Sequence, residues 1–501
     1  MLDLLISGFQ IVLNPITFIY IIGGTVLGVI FGALPGVSAS MAVVLAMTFT
    51  YSMTPLVAIA FLVSVYCAAI TGGGITAILF KIPGTPASAP TTFDGYPMTE
   101  RGEAGKALGI SLMTSAIGGT FAAIAMFLLS PQLANAALKF GPSELFAVSF
   151  LGLSVLTCLD SGNVVQTIIS GLMGLWLATI GMDPIDGFAR FTWGNSTLLS
   201  GVEMIPVMIG MFAVTEVLKQ TVHRTKMENV DKNSSGKIKT KLTSFKELWM
   251  MKWTIIRSGI LGTIVGILPG AGATIASFLS YTTEVKTSKT PEKYGKGAPE
   301  GVAASETANN AATGGSMVPL LALGIPGGNA AAVMMSALVL KGVQMGPMLL
   351  KRQPEFLSSV FASMIVTNII MVVIAIGIAK IFSKILAIPY SILGTVIALL
   401  ATIGSFALAN STGDVMLMVI AGVLGYAFSM LGFNAAALIL GLVLGGMCES
   451  NLRRAIMIDN GNLVAVFSKP ITAVLMIACI AMLVWPLVKP YVIKKKGPVN
   501  A

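Results

Sequence analysis

Apolar runs, each closed by a short polar or Gly/Pro-rich stretch, alternate along almost the whole chain. Runs long enough to span a bilayer, or nearly so, fall at about 16–34, 38–50, 55–80, 107–130, 143–159, 163–181, 198–218, 258–281, 301–324, 330–350, 356–379, 385–409, 413–430, 432–447 and 463–488. A helix needs about 20 residues to cross a hydrocarbon core of about 30 Å. The pattern therefore predicts an all-α polytopic membrane protein with about 11–12 spans, the other pieces being half-helices or re-entrant segments. Glu300 to Asn329 departs from the rest: an acid, two adjacent amides and a hydroxyl precede an apolar run that Pro326, Gly327 and Gly328 then break. Broken helices at membrane depth are tolerated only where the freed backbone faces protein or a water-filled cavity, as in the solute and ion sites of many transporters.

The punctuation occurs twice. Gly32-Ala33-Leu34-Pro35-Gly36 returns as Gly266-Ile267-Leu268-Pro269-Gly270, Thr71-Gly72-Gly73 as Thr313-Gly314-Gly315, and Ile82-Pro83-Gly84 as Ile325-Pro326-Gly327. Further on, Gly171, Gly174 and Gly181 match Gly422, Gly425 and Gly432. The chain thus reads as a first transmembrane repeat over 1–218, apolar from about 16, and a second over 253–460. A basic linker (219–252) joins them, and a C-terminal span with a basic tail (461–501) follows. Between Arg257 and the lysines at 286, 289, 293 and 296 lies one apolar segment with Pro269-Gly270 at its middle. It is either a helical hairpin or a single kinked span.

Composition agrees with this reading. Hydrophobic residues make up 55% of the 501 and charged residues only 10%, against about 25% in a soluble domain. Of the net charge of +10, most is local: from Lys219 to Arg257 ten basic residues face Glu228, Asp231 and Glu247. By the positive-inside rule this linker is cytoplasmic, and Lys494–Lys496 put the C-terminus on the same side. The flanking spans account for the basic charge without nucleic acid. Cys67, Cys158, Cys448 and Cys479 stand singly in apolar surroundings, and the lone His223 lies in the linker, so no metal cluster is expected. Met1 to Leu13 lacks a basic n-region and carries Asp3, so no cleavable signal peptide is expected. No nucleophile stands with a nearby His, and no phosphate loop occurs, so neither an enzyme nor ATP drive by this chain is indicated.

An anionic solute in a bilayer needs positive potential and donors, and helix N-termini supply both. Each Pro-Gly break is followed by a segment opening with small or polar residues. These are Ser38 and Ser40 after Pro35-Gly36, Thr85 after Pro83-Gly84, Gly272 and Thr274 after Pro269-Gly270, and Gly328-Asn329 after Pro326-Gly327. Lys81, beside the break at Pro83, either pairs with the solute or snorkels to the interface. Asn309, Asn310 and Thr313, with carbonyls near Gly314-Gly315, have the oxygen chemistry for sodium or for a carboxylate, or serve as interhelical hydrogen-bond glue. Glu306 is either an ion or proton site or a structural acid paired to a lysine. The segment Thr91-Thr92-Phe93-Asp94-Gly95-Tyr96-Pro97 reads as a turn cluster able to close over a cavity or dock a partner.

The motif at Gly32–Gly36, the run Ala77–Pro86 leading into Thr91–Pro97, and Glu300 through Glu306, Asn309-Asn310-Ala311, Gly314-Gly315 and Leu323–Gly327 closely resemble the large membrane subunit of the tripartite tricarboxylate transporter family. The likeness runs from about residue 15 to about 470. It implies a multi-pass permease of the bacterial inner membrane working with a small membrane subunit of about four spans and an extracytoplasmic solute-binding protein. It also implies uptake of carboxylates driven by a cation gradient, usually sodium. Lys81 departs from the family pattern, where a small polar residue such as Asn is expected, and Thr71-Gly72-Gly73-Gly74 is richer in glycine. No cofactor is expected beyond the coupling ion, sodium or a proton. The rival readings are a passive organic-anion channel and a carboxylate symporter that works alone.

Overall fold

The computed structural model describes residues 2–159, 164–183, 186–195, 198–222, 243–270, 272–386 and 390–492. Most of the basic linker, His223 and the lysines at 494–496 lie outside them, as does the side chain of Cys158. The protein is helical almost throughout. Its first half runs α1 (Leu2–Val12), α2 (Pro15–Ala33), α3 (Ala39–Met47), α4 (Pro55–Phe80), α5 (Thr91–Glu100), α6 (Ala104–Ala137), α7 (Pro142–Leu159), α8 (Val164–Leu177), a hairpin of strands β1 (Gly181–Met182) and β2 (Ala189–Arg190), then α9 (Met204–Ile209) and α10 (Thr215–Val222) around a π-helical turn. The second half runs α11 (Phe245–Met250), α12 (Lys252–Ile267), α13 (Gly272–Thr287), α14 (Pro299–Leu323), α15 (Asn329–Leu340), α16 (Pro347–Arg352), α17 (Glu355–Leu386), α18 (Tyr390–Ala409), α19 (Thr412–Met430), α20 (Ala435–Ile458), α21 (Leu463–Ser468) and α22 (Pro470–Val492).

Helix starts follow local chemistry. Proline, whose missing N–H costs nothing in a first turn, opens α2, α4 and α14. Side-chain oxygens cap others: Ser38 accepts from the Met41 amide (3.1 Å) at the start of α3, and Asn434 from Ala436 and Ala437 at the start of α20. Among the described residues seven helices are long and apolar enough to cross a membrane, and six shorter apolar helices accompany them. The chain is thus an all-α, multi-pass membrane protein. The segment 301–324, expected to be nearly spanning, is α14, which is not among the seven. Its middle is polar, yet every residue from Gly301 to Ala322 is buried by neighbouring helices.

The chain divides into two compact units. One comprises Met1–Leu138 and Ile205–Tyr426, the other Lys139–Met204 and Ala427–Ala501. The second unit packs α7 and α8 on α20 and α22. There Gly174 lets the α20 backbone approach at Leu438 and Leu442. Five of its charged residues form a network: Arg190 pairs with Glu449 and Asp183, and Arg453 with Asp183 and Asp186.

In the first unit the same helix contact occurs twice. Gly28 and Gly32 of α2 lie against Val65 and Ala69 of α4, and Gly262 and Gly266 of α12 lie against Ala308 and Ala312 of α14. Glycine there lets the backbones meet without intervening side chains. Aligning the two contacts puts Thr71 opposite Gly314, one residue away from the Thr-Gly-Gly match in the sequence. α12 and α13 run side by side in opposite directions: the Ser280 hydroxyl donates to Ser258 Oγ (2.8 Å), and Arg257 pairs with Glu284. The segment 258–283 is therefore the helical hairpin, with its tip at Pro269-Gly270. Across the halves, α6 packs on α14, α17 on α4, α3 on α15, and α13 on the short turn at residues 86–88.

Candidate functional site

The site lies on α14 where it crosses α4, α5 and α6. Glu306 is fully buried, and an isolated charge there would be expensive in a membrane interior. Its oxygens accept from two hydroxyls, Thr91 into Oε1 (2.5 Å) and Ser115 into Oε2 (3.0 Å). Gly74 leaves room for it, since a Cβ at that position would stand 2.9 Å from Glu306 Oε1 and from Ser111 Oγ. No ion pair to Glu306 occurs among the described residues, so the lysine-paired reading of this acid is not what the structure shows. One turn on, Asn310 Nδ2 donates to Asn309 Oδ1 (2.8 Å), and Asn310 Oδ1 accepts from Thr71 of α4 (2.8 Å). Asn309 Nδ2 donates to the Ala87 carbonyl (3.4 Å), and the Thr313 hydroxyl donates to the Asn310 carbonyl (2.7 Å) and meets Cys67 Sγ.

Glu306, Asn309, Asn310 and Thr313 thus come together on one buried helix face. Gly314 does something else. α14 runs unbroken through Gly314-Gly315, and Gly314 packs on Ala122 of α6, so its carbonyl is not freed there. The local perturbation is Pro319, which lacks the amide that would close onto the Gly315 carbonyl. The helix ends only at Gly324, which is left-handed (φ 72°).

Two of the Pro-Gly breaks, at Gly84 and Gly327, fold back onto their own helices. The Gly84 amide donates to the Gly73 carbonyl (3.2 Å), and a Cβ at Gly84 would lie 2.9 Å from Gly73 Cα. In the second half the Gly270 amide donates to the Gly327 carbonyl (3.1 Å), and Gly328 lies beside Gly272, so the two breaks meet. Pro326, Gly327 and Gly328 are buried, whereas Thr274 and Asn329 are partly exposed. Thr85 is buried with its hydroxyl 3.3 Å from Ser88 Oγ, while Pro83 before it is half-buried. The 86–88 turn links this break to the polar face through Asn309 and to α13. At the break at Pro35, Ser38 is spent on capping α3 and Gly36 (φ 86°) abuts Glu216 and Gln220, while the Gly32 carbonyl just before it lies against Gly84, as the Gly266 carbonyl lies against Gly327. Lys81 is not brought to the site. It is exposed, left-handed (φ 59°), and lies over the Tyr96 ring at 5.4 Å.

The segment 91–97 is a helix that clamps α14 rather than a loose turn cluster. Asp94, fully buried, accepts from the amides of Gly297 (2.9 Å) and Ala298 (2.8 Å) just before α14 and from the Tyr281 hydroxyl (2.9 Å) of α13. Arg101 adds bonds to the carbonyls of Lys296 and Gly297. The roles of Thr91 and Asp94 are carried by a motif visible in the sequence. Nothing in the sequence distinguishes Ser115 from other hydroxyls in apolar helices. Chemically, the arrangement is a buried carboxylate in a shell of neutral oxygen groups, next to paired helix breaks. Such a set can hold a hard cation or a proton and can present backbone donors to an anion.

The profile of the Tripartite tricarboxylate transporter TctA family matches residues 18–440. An uncharacterised 52.8 kDa protein of the TAR-I ttuC' 3' region of Agrobacterium vitis is 36% identical over 504 residues, covering 98% of both chains. An uncharacterised protein of the TAR-II ttuC' 3' region of the same organism is 38% identical over 231 residues, 46% of this chain and 96% of that one. No solved structure matches.

Proposed function

Because the chain belongs to the tripartite tricarboxylate transporter TctA family, and so is a membrane transporter component, we propose that it is the large permease subunit of a cation-driven carboxylate importer. One observation carries the reading: Glu306 is buried, held by neutral hydroxyl and amide groups with no basic partner among the described residues, and continuous through Asn309 with a broken-helix turn. A carboxylate kept at membrane depth without a basic partner is compensated by a cation that comes and goes, sodium or a proton. In this proposal Glu306, Asn309, Asn310 and Thr313 hold the coupling ion. The ends at Pro83–Thr85, Gly270–Thr274 and Pro326–Asn329 receive the solute's carboxylates through backbone donors.

The rest of the proposal concerns setting. The permease works in the bacterial inner membrane with a small membrane subunit of about four spans and an extracytoplasmic solute-binding protein. Its two transmembrane repeats are joined by a cytoplasmic linker, and its C-terminus is cytoplasmic. The test is uptake of radiolabelled citrate, tartrate, glutarate and an aromatic acid into proteoliposomes holding the complex. It is run with and without an inward sodium or proton gradient, and with and without the binding protein. Saturable uptake of one acid that requires a gradient and the binding protein supports the proposal. Non-saturable flux indifferent to both means an anion channel, and uptake that needs the gradient but no partner means a symporter acting alone.

A further inference from the structure

Asn368 of α17 is 1% exposed, and neither its Oδ1 nor its Nδ2 has a hydrogen-bond partner. A buried amide with both ends unmet costs stability, and such groups call for a specific explanation. Two more orphans are the hydroxyl of Thr367, next to it in sequence, and that of Thr307, next to Glu306 on α14, which packs on α6 as α17 does. α6 connects them. Its Ser115 binds Glu306, Gly118 lies against the Thr307 backbone, and Gly119 lies against the Asn368 amide, close enough that a Cβ there would stand 2.5 Å from Oδ1. Ser115 and Gly119 are one helical turn apart, a rise of about 6 Å. Met371, one turn beyond Asn368, touches the Thr71 hydroxyl, which bonds Asn310.

Position singles out Asn368 as well. Gly314 of α14 packs on Ala122 of α6, and its counterpart Thr71 of α4 packs on Met371 of α17. Ala122 and Met371 are therefore counterparts too. Three residues back from each lie Gly119 and Asn368, which are counterparts and touch each other. A residue in contact with its own counterpart lies on the axis relating the two copies, where transporters built from repeats hold solute and ions. At that point one copy has a glycine and the other an amide with nothing to bond.

We propose that Asn368, with Thr307, completes a site for a monovalent cation of sodium's class beside Glu306. The inference rests on the cation-driven reading above. Oδ1 of Asn368 and Oγ1 of Thr307 supply neutral oxygens, and Glu306 supplies the negative charge. Glu306 is thereby tied to α17, a helix that does not otherwise contribute to its shell.

The test is equilibrium binding of 22Na+ to the full-length permease in proteoliposomes, together with thermal melting in the absence of sodium. Asn368→Leu keeps the branching and number of side-chain heavy atoms and removes both unmet polar atoms. Its expected result is sodium binding weakened at least tenfold, with a melting temperature equal to or above that of the unsubstituted protein. Asn368→Asp, which keeps an oxygen at the same place, should bind sodium at least as tightly as the unsubstituted protein. If the leucine protein fails to fold, Asn368→Ala, which removes the oxygen without adding bulk, replaces it, and sodium binding by that variant equal to the unsubstituted protein overturns the assignment. Sodium binding by Asn368→Leu equal to the unsubstituted protein overturns the assignment while leaving cation drive intact. An Asn368→Leu protein that melts well below it means that the amide is bonded within the fold, and this also overturns the assignment. Absence of saturable 22Na+ binding by the unsubstituted protein overturns this inference alone. Cation drive is judged separately, by the dependence of uptake on the gradient.

Discussion

The hydroxyl of Thr71 donates to Asn310 Oδ1 at 2.8 Å, joining α4 to α14 across 239 residues of sequence. Both groups are buried, and the bond fixes the amide so that its Nδ2 reaches Asn309. Thr71→Val preserves shape but leaves Asn310 Oδ1 unpaired. Interhelical bonds of this kind contribute about 1 kcal/mol in membranes, so the melting temperature should fall by a few degrees. Carboxylate uptake should drop more than that loss of stability explains, because the amide pair loses its orientation. Asn310→Ala removes the oxygen altogether and should abolish uptake with membrane insertion intact. Normal uptake by the alanine variant removes Asn310 from the ion site.

Asp94 is the clamp on the start of α14, and its three partners make it a strong one. Charge-assisted hydrogen bonds contribute about 1.5–3 kcal/mol each. Asp94→Asn should destabilise the protein markedly and reduce uptake, whereas Tyr281→Phe should cost about 1 kcal/mol. A double-mutant cycle on the pair should return a coupling energy of at least about 0.5 kcal/mol. A coupling of zero means that the 2.9 Å contact is not energetically significant.

How much of this was legible in the sequence depends on the type of signal. Apolar runs and the low share of charged residues announced an all-α membrane fold, because burial in a bilayer is read locally. The polar face of α14 was legible for the same reason: acid, amide and hydroxyl recur at helical spacing from Glu306 to Thr313. Ser115 and Asn368 were not, since a single polar residue in an apolar helix means nothing until packing shows what it faces. For Lys81 the sequence left two readings open, solute partner or interfacial cation; in the structure the residue is left-handed at the end of α4, with its exposed side chain over Tyr96. The carbonyls near Gly314-Gly315 likewise read as available to an ion in the sequence, and in the structure Gly314 packs on α6 and Gly315 on α12.

Lys81 gives a prediction from that geometry. A non-glycine residue held left-handed costs about 1 kcal/mol or more, so Lys81→Gly should raise the melting temperature by a few degrees. Uptake should stay near that of the unsubstituted protein, because the exposed ammonium is remote from the buried face of α14. A loss of uptake of tenfold or more would return Lys81 to the solute's path.

Gly84 and Gly327 occupy matching breaks, and the same physical constraint acts on each. A Cβ at Gly84 would lie 2.9 Å from Gly73 Cα, and one at Gly327 would lie 2.5 Å from the Gly266 carbonyl oxygen and 2.6 Å from Ser316 Cα. These neighbours are backbone atoms, which cannot move aside as a flexible side-chain end does. Alanine at either position should therefore push the break away from its helix, lengthening the Gly84–Gly73 bond in one case and disturbing the Gly270–Gly327 bond in the other. Overpacking of this type costs about 1–3 kcal/mol, and valine should cost more than alanine. If the breaks hold the solute, Gly84→Ala and Gly327→Ala should each raise the half-saturation concentration for the carboxylate while the sodium requirement of transport keeps its midpoint. An altered sodium midpoint with unchanged carboxylate affinity would mean that the breaks serve the ion instead. Unchanged transport in both variants would leave the breaks as turns.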